Sequence, residues 1–217
     1  MNSKDLINVM QGWMGAKTGD KVHKTIIDIY NKNKPLPRGY KVKYNDAWCA
    51  TCVSSASISL GYQSIIPPEC SCIQMIKLFK SIGAWVEDDG YTPHEGDIIF
   101  YYWGDDGVGD CVSNHASHVG VVEKVNNGLI TVIEGNNGGK VARRFVNVNQ
   151  RYIVGYGVPK YDTCATTNDT TVYYVAIKGD NVTKIAKLFN TTKEDIIKLN
   201  NLKYPYWLYV GKKYRIR

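Results

Sequence analysis

Apolar residues recur at helical spacing in the first third of the chain, then alternate or run together in the middle. Leu6, Ile7, Met10 and Met14, and further on Ile26, Ile27 and Tyr30, fall on single helical faces. Pro35-Leu36-Pro37-Arg38-Gly39 breaks the chain. From Ala47 to Leu60, Cys49, Cys52, Val53, Ala56 and Leu60 share a face, and Gly61 supplies a stop. A further helix is expected over about Ile73 to Ile82, ending at Gly83.

The pattern then changes. Asp97 to Trp103 reads as a buried strand, followed by a loop from Gly104 to Ser117. His118 to Val125 and Leu129 to Gly135 flank Asn126-Asn127-Gly128, a hairpin signal. Val141 to Val148 and Tyr152 to Val158 supply two more strands. Helices first and antiparallel strands later predict an α+β fold. Gly128 suits the left-handed position of a three-residue hairpin loop. That loop pairs Val125 with Leu129 and sets Gly120 opposite Glu134 and His118 opposite Asn136. His118, Glu134 and Asn136 then share a face with Val122, Val132 and Ile130, which is expected to pack toward the Cys49 helix.

After Pro159 the chain turns polar over residues 162–171, which reads as a linker. It divides a unit at 1–161 from a smaller one at 172–217. In the second unit Val172 to Ile177 reads as a strand and Gly179-Asp180 as a turn. Val182, Ile185, Ala186 and Phe189 make a helical face, and Thr192 with Asp195 a capping box before a second helix. Tyr209-Val210 and Tyr214 to Ile216 close a βααβ unit of about 45 residues, near the lower limit for folding without metal or disulfides.

Charge separates the same two units. Residues 172–217 hold ten Lys/Arg against three Asp/Glu, which accounts for the whole net charge of +7. Such a basic module suits an anionic surface. No apolar run approaches the ~20 residues that cross a bilayer, so no membrane span is expected. The polar-interrupted start differs from an export signal, so synthesis in a cytoplasm is expected, and any action outside the cell needs release by another route. The six cysteines are then expected as thiols rather than a disulfide framework.

Three segments carry the candidate chemistry: Trp48-Cys49-Ala50, His118-Val119-Gly120 and Glu134-Gly135-Asn136. A cysteine nucleophile needs a base and a polar group to orient that base. Cys49 opens a helix, where the dipole and free N–H groups favour a thiolate. His118 leads a strand and is preferred as the base over His115. Glu134 is preferred as the orienting group, with Asn136 as its substitute or assistant. Tyr44 and Asn45 are oxyanion candidates, and Trp48 and Trp103 are candidates to line the cleft. His23 and His94 are expected to be surface or internally satisfied. Cys49-x-x-Cys52 lacks the apolar strand that precedes a redox motif, and the one-residue spacing of Cys70 and Cys72 does not suit structural zinc. No metal or cofactor is expected. Asp105, Asp106 and Asp110 could offer oxygen ligands to calcium, but their spacing does not match an EF-hand loop and a solvated acidic turn is the preferred reading.

Four blocks resemble the CHAP domain, a papain-like cysteine amidohydrolase and peptidase acting on peptidoglycan. They are Asp46-Ala47-Trp48-Cys49-Ala50, the stretch from Pro93 to Tyr101, His118 to Val122, and Val132 to Asn136, with Cys52 where an aromatic residue is commoner. Residues 172–217 resemble a LysM module through Tyr174 to Asp180, Ile185 to Thr192, Leu199 to Leu202 and Tyr209 to Tyr214. The second resemblance implies binding of N-acetylglucosamine-containing glycan strands. Candidate contacts are Gly179, Asp180, Asn181, Val182, Leu202, Tyr206 and Trp207; Asn181-Val182 replaces the usual Thr-Leu. The combination resembles a bacteriophage endolysin, expected to be a monomer with peptidoglycan rather than nucleic acid as partner. The alternatives are a bacterial wall-remodelling enzyme and an inactive wall-binding protein. Whether the scissile bond is the N-acetylmuramoyl–L-alanine amide or a stem or cross-bridge peptide bond stays open.

Overall fold

The computed structural model describes residues 1–88, 90–104, 115–162 and 172–216. Asp105, Asp106, Asp110 and nearly all of the expected linker lie outside the described residues.

Four helices precede the sheet. Helix α1 (Ser3–Gly12) starts where the Asn2 side chain accepts from Lys4 N, and α2 (Lys21–Lys32) where Asp20 accepts from His23 N. Helix α3 (Cys49–Leu60) stops at Gly61, whose φ of 76° favours glycine. Helix α4 (Cys72–Ser81) is capped by Ser71. The first residue of α3 follows Trp48, whose side chain makes no capping bond. That leaves the N–H groups of its first turn to whatever sits at the helix end.

The sheet comprises β1 (Trp85–Val86), β2 (Ile98–Tyr101), β3 (His118–Asn126), β4 (Leu129–Asn137), β5 (Lys140–Asn147) and β6 (Ile153–Gly157). Its order is β1-β6-β2-β3-β4-β5, with antiparallel neighbours throughout. Alternation sorts its side chains between two cores. Ile98, Phe100, Val119, Val121 and Ile133 join the helices in the larger one. Ile99, Tyr101, Val122, Ile130, Val132, Val146 and Tyr156 form the other, on the opposite face. The expectation that Val122, Val132 and Ile130 pack toward the Cys49 helix is therefore corrected, because α3 lies against the odd-numbered residues of β3 and β4.

The hairpin tip is also corrected. Asn126 pairs with Leu129, so the loop is the two residues Asn127 and Gly128, with φ of 49° and 78°. Two consecutive positive φ values are what a type I′ turn requires, and Asn-Gly supplies them at low steric cost. The tip runs one residue out of register with the strand ends. A bulge between Val122 and Lys124 absorbs the difference, and Val121 pairs with Ile133 as expected from the three-residue loop. Glu123 is the extra residue, held by Arg143 Nε at 2.6 Å and Gln11 Nε2 at 2.6 Å.

The second unit has β7 (Tyr173–Val175), α5 (Val182–Leu188), α6 (Lys193–Leu199) and β8 (Lys213–Arg215), with β7 and β8 antiparallel. Tyr209 and Val210 are exposed and lie before β8 rather than in a strand. Val172, Tyr174, Ile185, Phe189 and Ile196 are buried and continue the larger core of the first unit. Gly12 on α1 makes room for this contact: a Cβ there would lie 3.3 Å from Leu188 Cδ2.

Candidate active site

Cys49 is the first residue of α3 and is 5% exposed. Its Sγ lies 3.8 Å from Cys72 Sγ, at the start of α4. The Cys72 thiol beside it and the His118 ring hold Cys49 well below the ordinary thiol range, against the opposing effect of burial. His118 opens β3, and its Nε2 lies 3.1 Å from Glu134 Oε2. Burial alone would lower the His118 pKa, yet the bonds to Cys49 and Glu134 outweigh it and raise it to about 9. A Cys49 thiolate and a His118 imidazolium therefore stabilise each other.

Glu134 is fully buried. Burying a carboxylate requires partners, and Arg144 Nε supplies one at 2.8 and 2.9 Å from the two oxygens. The Arg144 guanidinium also lies 4.7 Å from the centre of the Trp103 ring. Trp103 is half exposed and stacks on Tyr101, which lies nearly parallel to His118 with 6.0 Å between ring centres. Gly120 makes the carboxylate's approach possible, since a Cβ there would sit 2.7 Å from Glu134 Cγ and 2.6 Å from Val132 Cγ1. On the other face Gly135 makes room for α3, since a Cβ there would fall 2.4 Å from Cys52 Cβ.

The structure brings Cys49, His118 and Glu134 together and sets Trp103 beside them. Asn136 stands apart in a bulge near the end of β4, at φ 57°, while Glu134 bonds the imidazole. Trp48 is fully buried, donates from Nε1 to Thr18 Oγ1 at 3.0 Å and packs edge-on against His23. It cannot line an open cleft. Tyr44 gives its hydroxyl to Asp28 on α2 at 2.8 Å, which removes it as an oxyanion donor in this arrangement. Asn45 is exposed. His23, expected at the surface or satisfied, is buried; its Nδ1 accepts from Gly19 N at 3.1 Å.

In the second unit, Asp180 is turned inward. It accepts from Ile177 N at 2.9 Å, Tyr174 Oη at 3.0 Å and Lys184 Nζ at 2.8 Å, so it fixes the turn at Gly179 rather than facing a ligand. Asn181 caps α5 and Val182 is buried, while Leu202 packs against the core. Tyr206 and Trp207 are exposed, beside exposed Tyr204 and Tyr209. Sequence reasoning missed Arg144 and Cys72 at the first site. Arg144 had a signal in strand pairing, since it lies on β5 opposite Val132, which shares a face with Glu134. The approach of Cys72 had no signal in spacing. Among the described residues no three His, Cys, Asp or Glu side chains are grouped to hold a metal ion, and no helix is long and apolar enough to cross a membrane.

Residues 39–136 match the CHAP domain and residues 174–216 match the LysM domain. Two separate stretches of the chain are thus similar to a CHAP domain and, after it, to a LysM domain. Cys49, His118 and Glu134 all lie inside the first match, while α1, α2 and Arg144 lie outside it. No curated protein matches the chain in sequence. Solved structures similar to it include "The crystal structure of Ly7917" and "The crystal structure of Ly7917 with the hydrolyzing product of MDP". Each is 14% identical, with a TM-score of 0.44 over 73% of this chain. The aligned part spans 63% of the length of those structures.

Proposed function

We propose that this protein is a peptidoglycan hydrolase that cuts an amide bond by acyl transfer through Cys49. The observation that carries the reading is the convergence of a buried thiol at an uncapped helix start, an imidazole and a buried carboxylate, within the CHAP match. The Cys49 thiolate attacks the amide carbonyl carbon and forms a C–S bond, and the electron pair moves to the carbonyl oxygen. The tetrahedral intermediate collapses, the C–N bond breaks, and His118 gives its proton to the departing amine. Neutral His118 then takes a proton from water, whose oxygen attacks the thioester and regenerates the thiolate and imidazolium. Glu134 keeps the imidazole oriented and offsets its positive charge. The N–H groups of the first turn of α3 are the donors best placed for the oxyanion.

Residues 1–161 serve as the catalytic unit and 172–217 as a glycan-binding unit. Exposed Tyr206 and Trp207 support the second role, since aromatic faces pack against sugar rings, and its charge of +7 favours an anionic wall. The protein acts as a monomer on peptidoglycan, in the manner of an endolysin. Purified peptidoglycan digested with the full chain tests the reading. New amine termini without new reducing sugar ends are expected, and their identity names the scissile bond. Reducing ends without amines would refute it.

A further inference from the structure

Two cysteines begin two helices at one point in this fold. Cys49 opens α3 and Cys72 opens α4; both are nearly buried, and their sulfurs are 3.8 Å apart without a disulfide between them. Both sulfurs cannot carry a charge at that separation in a poorly solvated pocket, because like charges there raise each other's cost. One sulfur ionises and the other keeps its proton, and a thiol beside a thiolate is a hydrogen-bond donor. The surroundings decide which is which. Cys49 has the His118 imidazolium as a cationic partner, whereas the groups that act most on Cys72 are other thiols and burial.

We propose that Cys72 is a positioning residue for the nucleophile: its thiol donates to the Cys49 sulfur and holds it as the attacking thiolate. The inference rests on Cys49 being the nucleophile. A neutral S–H donor is weak in water, but its bond to an anion strengthens in a low-dielectric pocket. The direction of the two ionisations agrees. Cys49 is held well below the usual thiol range by Cys72 first and His118 after it, whereas Cys72 is pushed well above that range by Cys49 and by burial. The other groups facing the pair are Cys52, one turn along α3 and kept neutral by burial, and Cys70, ahead of α4. Glu134 with Arg144 stands behind His118. Ser71, not Cys72, caps α4, so the Cys72 sulfur meets its helix end only through its own backbone N–H.

The test is the pH dependence of Cys49 alkylation by iodoacetamide in the full chain, followed by mass spectrometry of the Cys49 peptide. This readout needs no turnover, so it is separate from the nucleophile reading, which fails instead if Cys49→Ala still cuts walls. In Cys72→Ala the alkylation midpoint is expected to rise by at least one pH unit, which is about a tenfold loss of thiolate below both midpoints. Cys72→Ser retains a donor and is expected to restore the midpoint to within about half a unit of the parent. If Cys72→Ala does not fold, Cys72→Val fills the space without a donor and gives the same comparison. A parental midpoint in the folded Ala or Val variant, or a Ser variant that titrates like it, overturns the proposal.

Discussion

Replacing Glu134 by glutamine isolates the charge of the carboxylate while keeping an oxygen for His118 Nε2. In the parent, burial opposes the imidazolium, and the Cys49 thiolate and Glu134 carboxylate together raise its pKa from 6.5 to about 9. The active pair exists between the pH at which Cys49 ionises and the pH at which His118 loses its proton. Activity is therefore expected to rise with pH as the thiolate forms, hold a plateau, and fall through about pH 9. Glu134→Gln would remove one of the two anions that offset burial, so the falling limb moves to lower pH. A charge-assisted hydrogen bond contributes about 1.5–3 kcal/mol, which corresponds to roughly 10- to 100-fold in kcat/KM near neutral pH. Arg144 loses its partner but is about one-third exposed and can turn to solvent, so the fold should survive. The assay is kcat/KM against pH on a soluble muropeptide, with a melting curve to verify folding. A falling limb still near pH 9 in the folded variant would refute the role given to Glu134.

Gly120→Ala is expected to act on the same carboxylate by contact, since its Cβ would meet Glu134 Cγ at 2.7 Å and Ile133 O at 3.1 Å. At least a tenfold loss of kcat/KM is expected, and parental kinetics would show that Glu134 need not stay where it is. Cys49→Ala should abolish turbidity loss of susceptible cells, while Cys52→Ala should retain most activity at a stability cost of about 1 kcal/mol, measured by denaturant unfolding. Deleting 172–217 should reduce lysis of whole cells more than hydrolysis of soluble muropeptides, and binding of the full chain to insoluble walls should weaken with salt. Equal loss on both substrates would assign the second unit to structural support, in line with the Leu188 contact at Gly12.

The helices were legible because their apolar spacing coincides with clear stops, as at Leu60 and Gly61. Cys49, His118 and Glu134 were legible because each sits at or near an element end, where strand and helix signals are strongest. The hairpin shows what a local reading loses. Gly128 alone suited a three-residue loop, but Asn127-Gly128 closes in two residues while the His118 end keeps Val121 opposite Ile133, and both hold because Glu123 is squeezed out as a bulge. Gln11 and Arg143 stabilise that bulge from α1 and β5, far away in sequence. Strand β1 escaped notice because it has two residues and follows no periodicity. The face packed against α3 was misassigned for a related reason: parity fixes which residues share a face, but not which face a helix covers. Asp180 misled through its position in a glycan-module resemblance, when its three hydrogen bonds commit it to the turn.

The central claim is that Cys49 carries the acyl group during turnover. Acid quenching of the full chain during digestion of soluble muropeptides, followed by peptide mass spectrometry, reads this directly. The account predicts a transient adduct on the Cys49 peptide with the mass of the acyl half of the cleaved substrate, removable by hydroxylamine and missing in Cys49→Ala. Amide cleavage that continues in Cys49→Ala, or an adduct carried by another residue, would contradict it.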